Sequence, residues 1–278
     1  MKKRLSIVIG SGSILCAASL GLMKALKREG LHPHMAVGCS GGSLYAATIA
    51  LGYDPHEVQR LTADLYKNDI VEGYAAGLKS AMTGETRFTE SSGLVDDKIM
   101  LERLQAIFGE KTFTDTQIPL FIVATDLYTG EQVVLSAGRL VDATRASSAI
   151  PIVFPPWKVG DQLLVDGAVC NPLPVDVAIK EGSDIILAVG FELPTRRRLN
   201  SYTAVTSHFN SLYMNNILKS TFAFYNAAHH AEIIPILPAF DRPISGFDHH
   251  QLPYIIEQGE KAAAEQIPYL VKLLSETE

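Results

Sequence analysis

Three short stretches hold residues that could do chemistry together. Gly38-Cys39-Ser40-Gly41-Gly42 has the spacing G-x-S-x-G, which presents a serine hydroxyl at a sharp strand-to-helix turn. Side chains flanking such a turn would clash, which accounts for Gly38 and Gly42. Asp166-Gly167 ends the apolar run "QLLV" and offers a carboxylate with a small neighbour that permits close approach. Gly10-Ser11-Gly12-Ser13 follows another apolar run, "RLSIVI". Small residues there leave backbone N–H groups uncovered at the start of a helix, where developing negative charge is favoured.

A serine hydroxyl is a weak nucleophile until a base takes its proton. Five of the eight histidines follow Asp166, among them His229, His230, His249 and His250, so the order serine, aspartate, histidine is formally available. The place of Ser40 speaks against it: only one strand precedes its own, whereas the α/β-hydrolase arrangement draws an oxyanion donor from a loop after a third strand. Asp166 is the other candidate, because burial raises a carboxylate's pKa toward the range where it can accept a proton. Alone, Asp-Gly reads as a turn. The loop after the first strand also invites a dinucleotide reading, but Leu15 stands where the third glycine of that fingerprint belongs. A phosphate-binding loop lacks its Gly-Lys-Ser/Thr ending.

These stretches must be carried by alternating strands and helices. Strand Leu5 to Ile9 leads to a helix ending near Arg28, and a strand near Met35 to Gly38 leads to a helix through Ala50, a succession that predicts a parallel sheet. Residues 53–93 read as a helical excursion or lid, with the surface excursion preferred. A helix is expected near Lys98 to Phe108, then strand-like "PLFIVATDL", hairpin-like "YTGEQVVLSAG", helical "LVDATRASSAI", and the strands "QLLVDGA" and "DIILAVGFEL". Residues 194–278 read as a helical C-terminal part of the same single domain, 1–278. Within it, Phe209, Leu212, Tyr213, Ile217, Phe222 and Phe224 have helical spacing and are expected to be core, with a lipid-facing or dimer-forming surface as the alternative. Asp126 is expected to satisfy turn donors, Asn171 to hold the loop of Asp166, and Cys39 to face away from the site.

Composition narrows the partners. The chain has 278 residues, 47% of them hydrophobic, and a net charge of −6 without basic clustering, so nucleic acid is not an expected partner. Three widely spaced cysteines, Cys16, Cys39 and Cys170, suit neither a disulfide framework nor a metal cluster. No metal and no cofactor are expected, and a reducing, cytoplasmic location is. "MKKRLSIVIGSGSILCAASLGLM" imitates a secretory signal, yet cleavage would discard the first strand and behead the helix behind it. Arg196-Arg197-Arg198 could meet an anionic membrane, though so short a charge run reads first as solvated.

Taken in order, "GSGSILCAASLGLMKALKREG", "GCSGGS" and "DGAVCNPLPV" resemble the glycine-rich loop, elbow and Asp-Gly-Gly/Ala motif of the patatin-like phospholipases. "GLVDDKI", "VATDLYTGEQVVLSAG" and "ATRASSAIPIVFPP" are similar to family segments between them. The resemblance implies a three-layer α/β/α fold with a mainly parallel central sheet, a Ser-Asp dyad without histidine, and hydrolysis of lipid acyl esters. By position it carries the nucleophile to Ser40, the base to Asp166, and the oxyanion donors to the backbone of Gly12, Ser13 and Ile14. Leu15 and Cys16 depart from the family's loop, which there has a basic residue followed by glycine. An acyl ester in general is therefore a firmer expectation than a phospholipid headgroup. A lipid-binding module without catalysis, and acyl transfer to an alcohol, are the alternatives the same residues allow. Peripheral membrane contact is compatible with all three, and the sequence leaves a homodimer open.

Overall fold

A computed structural model describes residues 3–67, 69–83, 88–195, 198–244 and 248–275. Its centre is an eight-stranded sheet. Strand β1 (Leu5–Ile9) is followed by a 3-10 turn (Ser13–Ala17) and helix α1 (Ala18–Arg28), and β2 (Met35–Cys39) by α2 (Gly41–Ala50). Helices α3 (Pro55–Ala63), α4 (Asp69–Thr83) and α5 (Asp97–Phe108) then precede β3 (Leu120–Asp126) and β4 (Gln132–Leu135). After α6 (Leu140–Ser147) come β5 (Trp157–Val159), β6 (Gln162–Asp166), α7 (Val175–Lys180) and β7 (Ile185–Val189). The chain closes with α8 (Tyr202–Ala228), β8 (Glu232–Ile236) and α9 (Leu252–Ser275).

Strands β3, β2, β1, β7 and β8 lie side by side and parallel, while β4, β5 and β6 join antiparallel beyond them. The parallel strands are apolar on both faces, as strands covered from both sides must be. Ile7 and Ile9 of β1 enter one core with α1, α2, α5 and α9, whereas Val8 faces a second core with α7 and α8. This alternation produces the expected α/β/α layers. On the first side α1 and α9 approach until helix backbone meets backbone. A Cβ on Gly21 would lie 2.1 Å from Ile256 O, and one on Gly259 would lie 2.0 Å from Ala18 O.

Two expectations change. The C-terminal part contains a strand as well as helices: β8 adds to β7 over five residue pairs. Its sequence, "EIIPI", carries a proline, which weakens a strand reading; β8 tolerates it at the sheet's edge. The face of α8 expected to be core is exposed at Phe209, Tyr213, Ile217 and Phe224; only Phe222 of the aromatics in that group packs against the second core.

Gly259→Val should lower stability by about 3 kcal/mol or more, because the backbone it would strike cannot swing aside. Gly30→Ala, at φ +65 with open space around it, should cost only about 1 kcal/mol. Chemical denaturation of the two variants tests the contrast.

Candidate functional site

Sheet register brings the two principal candidates together. Strands β2 and β6 occupy the same edge of β3, since β4 holds the opposite edge over Ile122–Thr125. Cys39 pairs with Val123 and Asp166 with Ala124. The two strands therefore run toward each other and meet end to end, so that the residue after Cys39 stands beside Asp166. There the Ser40 hydroxyl donates to Asp166 Oδ2 at 2.6 Å.

The backbone of Ser40 is strained, at φ 55 and ψ −129, a region that costs a non-glycine residue about 1–3 kcal/mol. Its surroundings enforce that geometry. Ser40 N–H donates to Ser147 Oγ at 2.8 Å, and Ser147 donates onward to Val123 O at 2.6 Å. Ser40 O accepts from both the amide and the hydroxyl of Ser43, at 2.9 and 2.6 Å. Glycines let neighbouring segments close in: a Cβ on Gly38 would lie 2.6 Å from Gly42 O, and one on Gly42 would lie 2.3 Å from Ile9 O. Gly41 is pressed against the backbone of Ser13 in the same way, so the elbow and the loop after β1 are in direct contact.

Asp166 is buried and held by all its polar groups. Its amide donates to Ala149 O at 2.9 Å, its carbonyl accepts from the Thr125 hydroxyl at 2.9 Å, and Oδ1 accepts from Ala168 N–H at 2.8 Å. The Asp-Gly turn and the contact with Ser40 are thus two uses of one carboxylate. Gly167 permits the packing, because a Cβ there would lie 2.2 Å from Val123 O. Burial raises the Asp166 pKa to about 6, against the opposing pull of the Ser40 hydroxyl, the Ala168 amide and the positive charge of Arg145.

Of Gly12, Ser13 and Ile14, Ser13 is the one pressed against the elbow, at Gly41. Ser13 adopts φ 50, and Gly12 leaves room for the Phe191 ring, which a Cβ would strike at 2.4 Å. Leu15 N–H is already engaged by Gly12 O at 3.0 Å, whereas no backbone acceptor among the described residues takes the Gly12 amide. Ile14 and Cys16 are buried, and the Cys16 thiol is directed at Gly10 O. The loop thus closes without the family's basic residue and glycine.

Ser40 stands where two cavities adjoin. A narrow one of about 50 Å³ is walled by Leu44, Leu65, Tyr66, Met100, Leu104 and Phe154. An open cleft of about 410 Å³ is lined by Asp166, Leu15, Val169, Leu193, Met214 and Ile244, among others. Among the described residues no histidine lines either cavity. Leu65 and Tyr66 come from residues 53–93, so that excursion supplies part of a wall and is more than a surface decoration.

Sequence reading passed over Ser147 and Arg145. Arg145 is fully buried, paired with Asp97 and placed 5.3 Å from the Phe154 ring centroid. Both lie within "ATRASSAIP", where nothing in the spacing sets them apart. The supporting residues behave as expected: Asp126 accepts from Tyr128 and Thr129 amides at 3.0 and 2.9 Å, and Cys39 is buried away from the cleft. Asn171 N–H donates to Gly167 O at 2.9 Å, and its side chain bonds Gln132 and Asp176. Arg196 and Arg197 lie outside the described residues.

A strained serine between strand and helix, with a buried carboxylate against its hydroxyl, defines an α/β protein built around a serine-bearing elbow. Residues 7–179 match the patatin-like phospholipases, and the chain belongs to that family of lipid hydrolases. It is similar to an uncharacterized NTE family protein of Mycobacterium bovis, 28% identical over 229 residues, which are 81% of this chain and 58% of the relative. An uncharacterized NTE family protein of Mycobacterium tuberculosis is 27% identical over 67% of this chain and 30% of its own length. The chain thus spans between 30% and 58% of the length of these mycobacterial relatives. The crystal structure of VipD from Legionella pneumophila shares the fold, with a TM-score of 0.52 at 14% identity over 96% of this chain and 67% of that one.

The raised pKa of Asp166 has a consequence for stability. A folded-state pKa near 6, above the ordinary carboxylate value of 3.8, means that the folded protein binds the proton more tightly than the unfolded chain does. That contribution is full below about pH 4 and is lost as pH rises through 6. Asp166→Asn removes the loss, so its stability relative to the parent should climb by about 2–3 kcal/mol between pH 4 and pH 7. Urea unfolding across that range tests it, and a flat difference would contradict the desolvation account.

Proposed function

We propose that the chain is a serine acyl-ester hydrolase acting on lipids through a dyad of Ser40 and Asp166. The observation that carries the reading is the 2.6 Å hydrogen bond from the Ser40 hydroxyl to a buried carboxylate. As Ser40 Oγ attacks the ester carbonyl, its proton passes to Asp166 Oδ2. The amides of Gly12, Ser13 and Ile14 are the proposed donors to the oxyanion, and the close packing of Gly41 on Ser13 supports their placement beside the nucleophile. Collapse of the tetrahedral intermediate breaks the ester C–O bond, and protonated Asp166 supplies the proton to the leaving alcohol. Asp166 then takes a proton from water, which attacks the acyl-enzyme, and returns it to Ser40 as the acid departs.

The two cavities suit the two halves of an ester. The narrow apolar one suits the carbons of the acyl group next to the carbonyl, and the open cleft takes the rest of the ester. Among the described residues no lysine or arginine lines that cleft, which is compatible with an acyl ester whose alcohol part is uncharged. We take residues 1–278 to work as one domain, in support of which the sheet runs from β1 to β8 and α9 packs back on α1. The proposed setting is cytoplasmic; among the described residues no helix is long and apolar enough to cross a membrane.

Ser40→Ala and Asp166→Asn should each lower turnover of a short p-nitrophenyl ester by about 10³-fold or more, with far-UV circular dichroism unchanged. A fluorophosphonate should modify Ser40 and no other residue, as read by peptide mass spectrometry. Full activity in either variant would overturn the dyad.

A further inference from the structure

Helix α8 is apolar on two opposite faces. Leu218, Phe222 and Tyr225 pack on the sheet. Opposite them stand Tyr202, Phe209, Tyr213, Ile217 and Phe224, exposed by 74, 48, 65, 37 and 63%. At about 100° per residue these five fall within about 80° of one another, in a stripe about 33 Å long. Phe209 and Tyr213 stack, with ring centroids 6.4 Å apart. Lys219 is the only residue with a formal charge between Tyr202 and Ala228. The outer face of a sheet-covering helix is ordinarily polar, and single exposed apolar residues need no explanation. Five exposed large apolar residues on one helix face, interrupted by the small polar Thr206 and Ser220, do need one.

The stripe is continuous with the cleft. Asn210 and Met214, one position beyond Phe209 and Tyr213, line the open cavity beside Ser40. At the same cavity stand Val169, which lines it, and Ile152, next to the lining residue Pro151; they are exposed by 53 and 60%. Ile152 is held at φ 72, a costly conformation for a β-branched side chain.

We propose that the α8 stripe, with Ile152 and Val169, seats the protein on an uncharged phospholipid surface with the cleft opening toward the bilayer. The assignment rests on reading the cleft as a site of lipid acyl-ester hydrolysis. Aromatic rings at the level of lipid headgroups bind through apolar burial. Between Tyr202 and Phe224 the stripe itself holds no cation and gives no reason for preferring anionic lipid, and a second copy laid on it would cover the cleft. Helix α8 therefore lies along the surface.

Vesicle flotation tests the proposal. Full-length Ser40→Ala protein, which leaves the lipid intact, is mixed with phosphatidylcholine vesicles at low and high salt. The expected result is binding that is insensitive to salt and is weakened about 100-fold by Phe209→Ser, Tyr213→Ser and Phe224→Ser together. With Ser40 restored, the triple variant should turn over a soluble short ester within about twofold of the parent, because these rings lie outside the cleft. If the triple variant unfolds, Tyr213→Ser and Phe224→Ser are tested singly for weaker binding. Any of three results overturns the proposal: no binding to neutral vesicles, binding that requires anionic lipid and vanishes in high salt, or variants that bind as tightly as the parent. So does a concentration-dependent dimer, seen by light scattering, that the substitutions dissolve. Failure of the hydrolase reading registers separately, as soluble-ester turnover by Ser40→Ala.

Discussion

The end-to-end meeting of β2 and β6 along one edge of β3 is the constraint on which the site depends. A parallel strand and an antiparallel strand share that edge and run toward each other, and the chain must leave the sheet where they meet. Ser40 turns out of one end and Asp166 out of the other. No loop has to be ordered to bring hydroxyl and carboxylate within 2.6 Å. The backbone hydrogen bonds of the sheet, which also hold the two cores apart, do that work.

This arrangement carries costs that the fold offsets locally. Ser40 sits in a strained conformation, and its amide, carbonyl and hydroxyl each have a buried partner in Ser147, Ser43 and Asp166. Asp166 loses hydration, and burial outweighs the hydrogen bonds and the Arg145 charge that favour its ionised form. That imbalance is useful to a base. An exposed aspartate would be a weaker base, while one lacking the Ser40, Ala168 and Arg145 contributions would hold its proton to higher pH. Ser147 ties the elbow to β3, and the Arg145 pair ties α5 to α6 behind the cavity. The proposed chemistry therefore depends on residues that never touch substrate.

Much of the fold was legible because strand and helix periods differ. The alternation through β1, α1, β2 and α2, the strands at β3, β6 and β7, and the helix at α5 all appear where apolar runs and turn residues put them. The site was legible to the extent that backbone geometry demands glycine: Gly38, Gly42 and Gly167 each sit where a side chain would strike main chain. What stayed hidden was tertiary. Ser147 and Arg145 acquire meaning only when α6 lies against β3. The strand β8 was masked by its own proline, and Leu65 and Tyr66 gave no sign that they would reach the cavity beside Ser40. The face of α8 misled because helical spacing of aromatics says that a face is apolar without saying that protein covers it.

The account turns on Asp166 acting alone as the base, and the pH dependence of Ser40 modification measures that directly. The second-order rate of fluorophosphonate inactivation should rise with pH along a single ionisation near 6, the value to which burial brings Asp166, and level off above pH 7. In Asp166→Asn the rate should fall to a small residue with no ionisation near 6. An inactivation rate that survives in Asp166→Asn with its pH profile unchanged, or that follows the replacement of a histidine instead, would contradict the account.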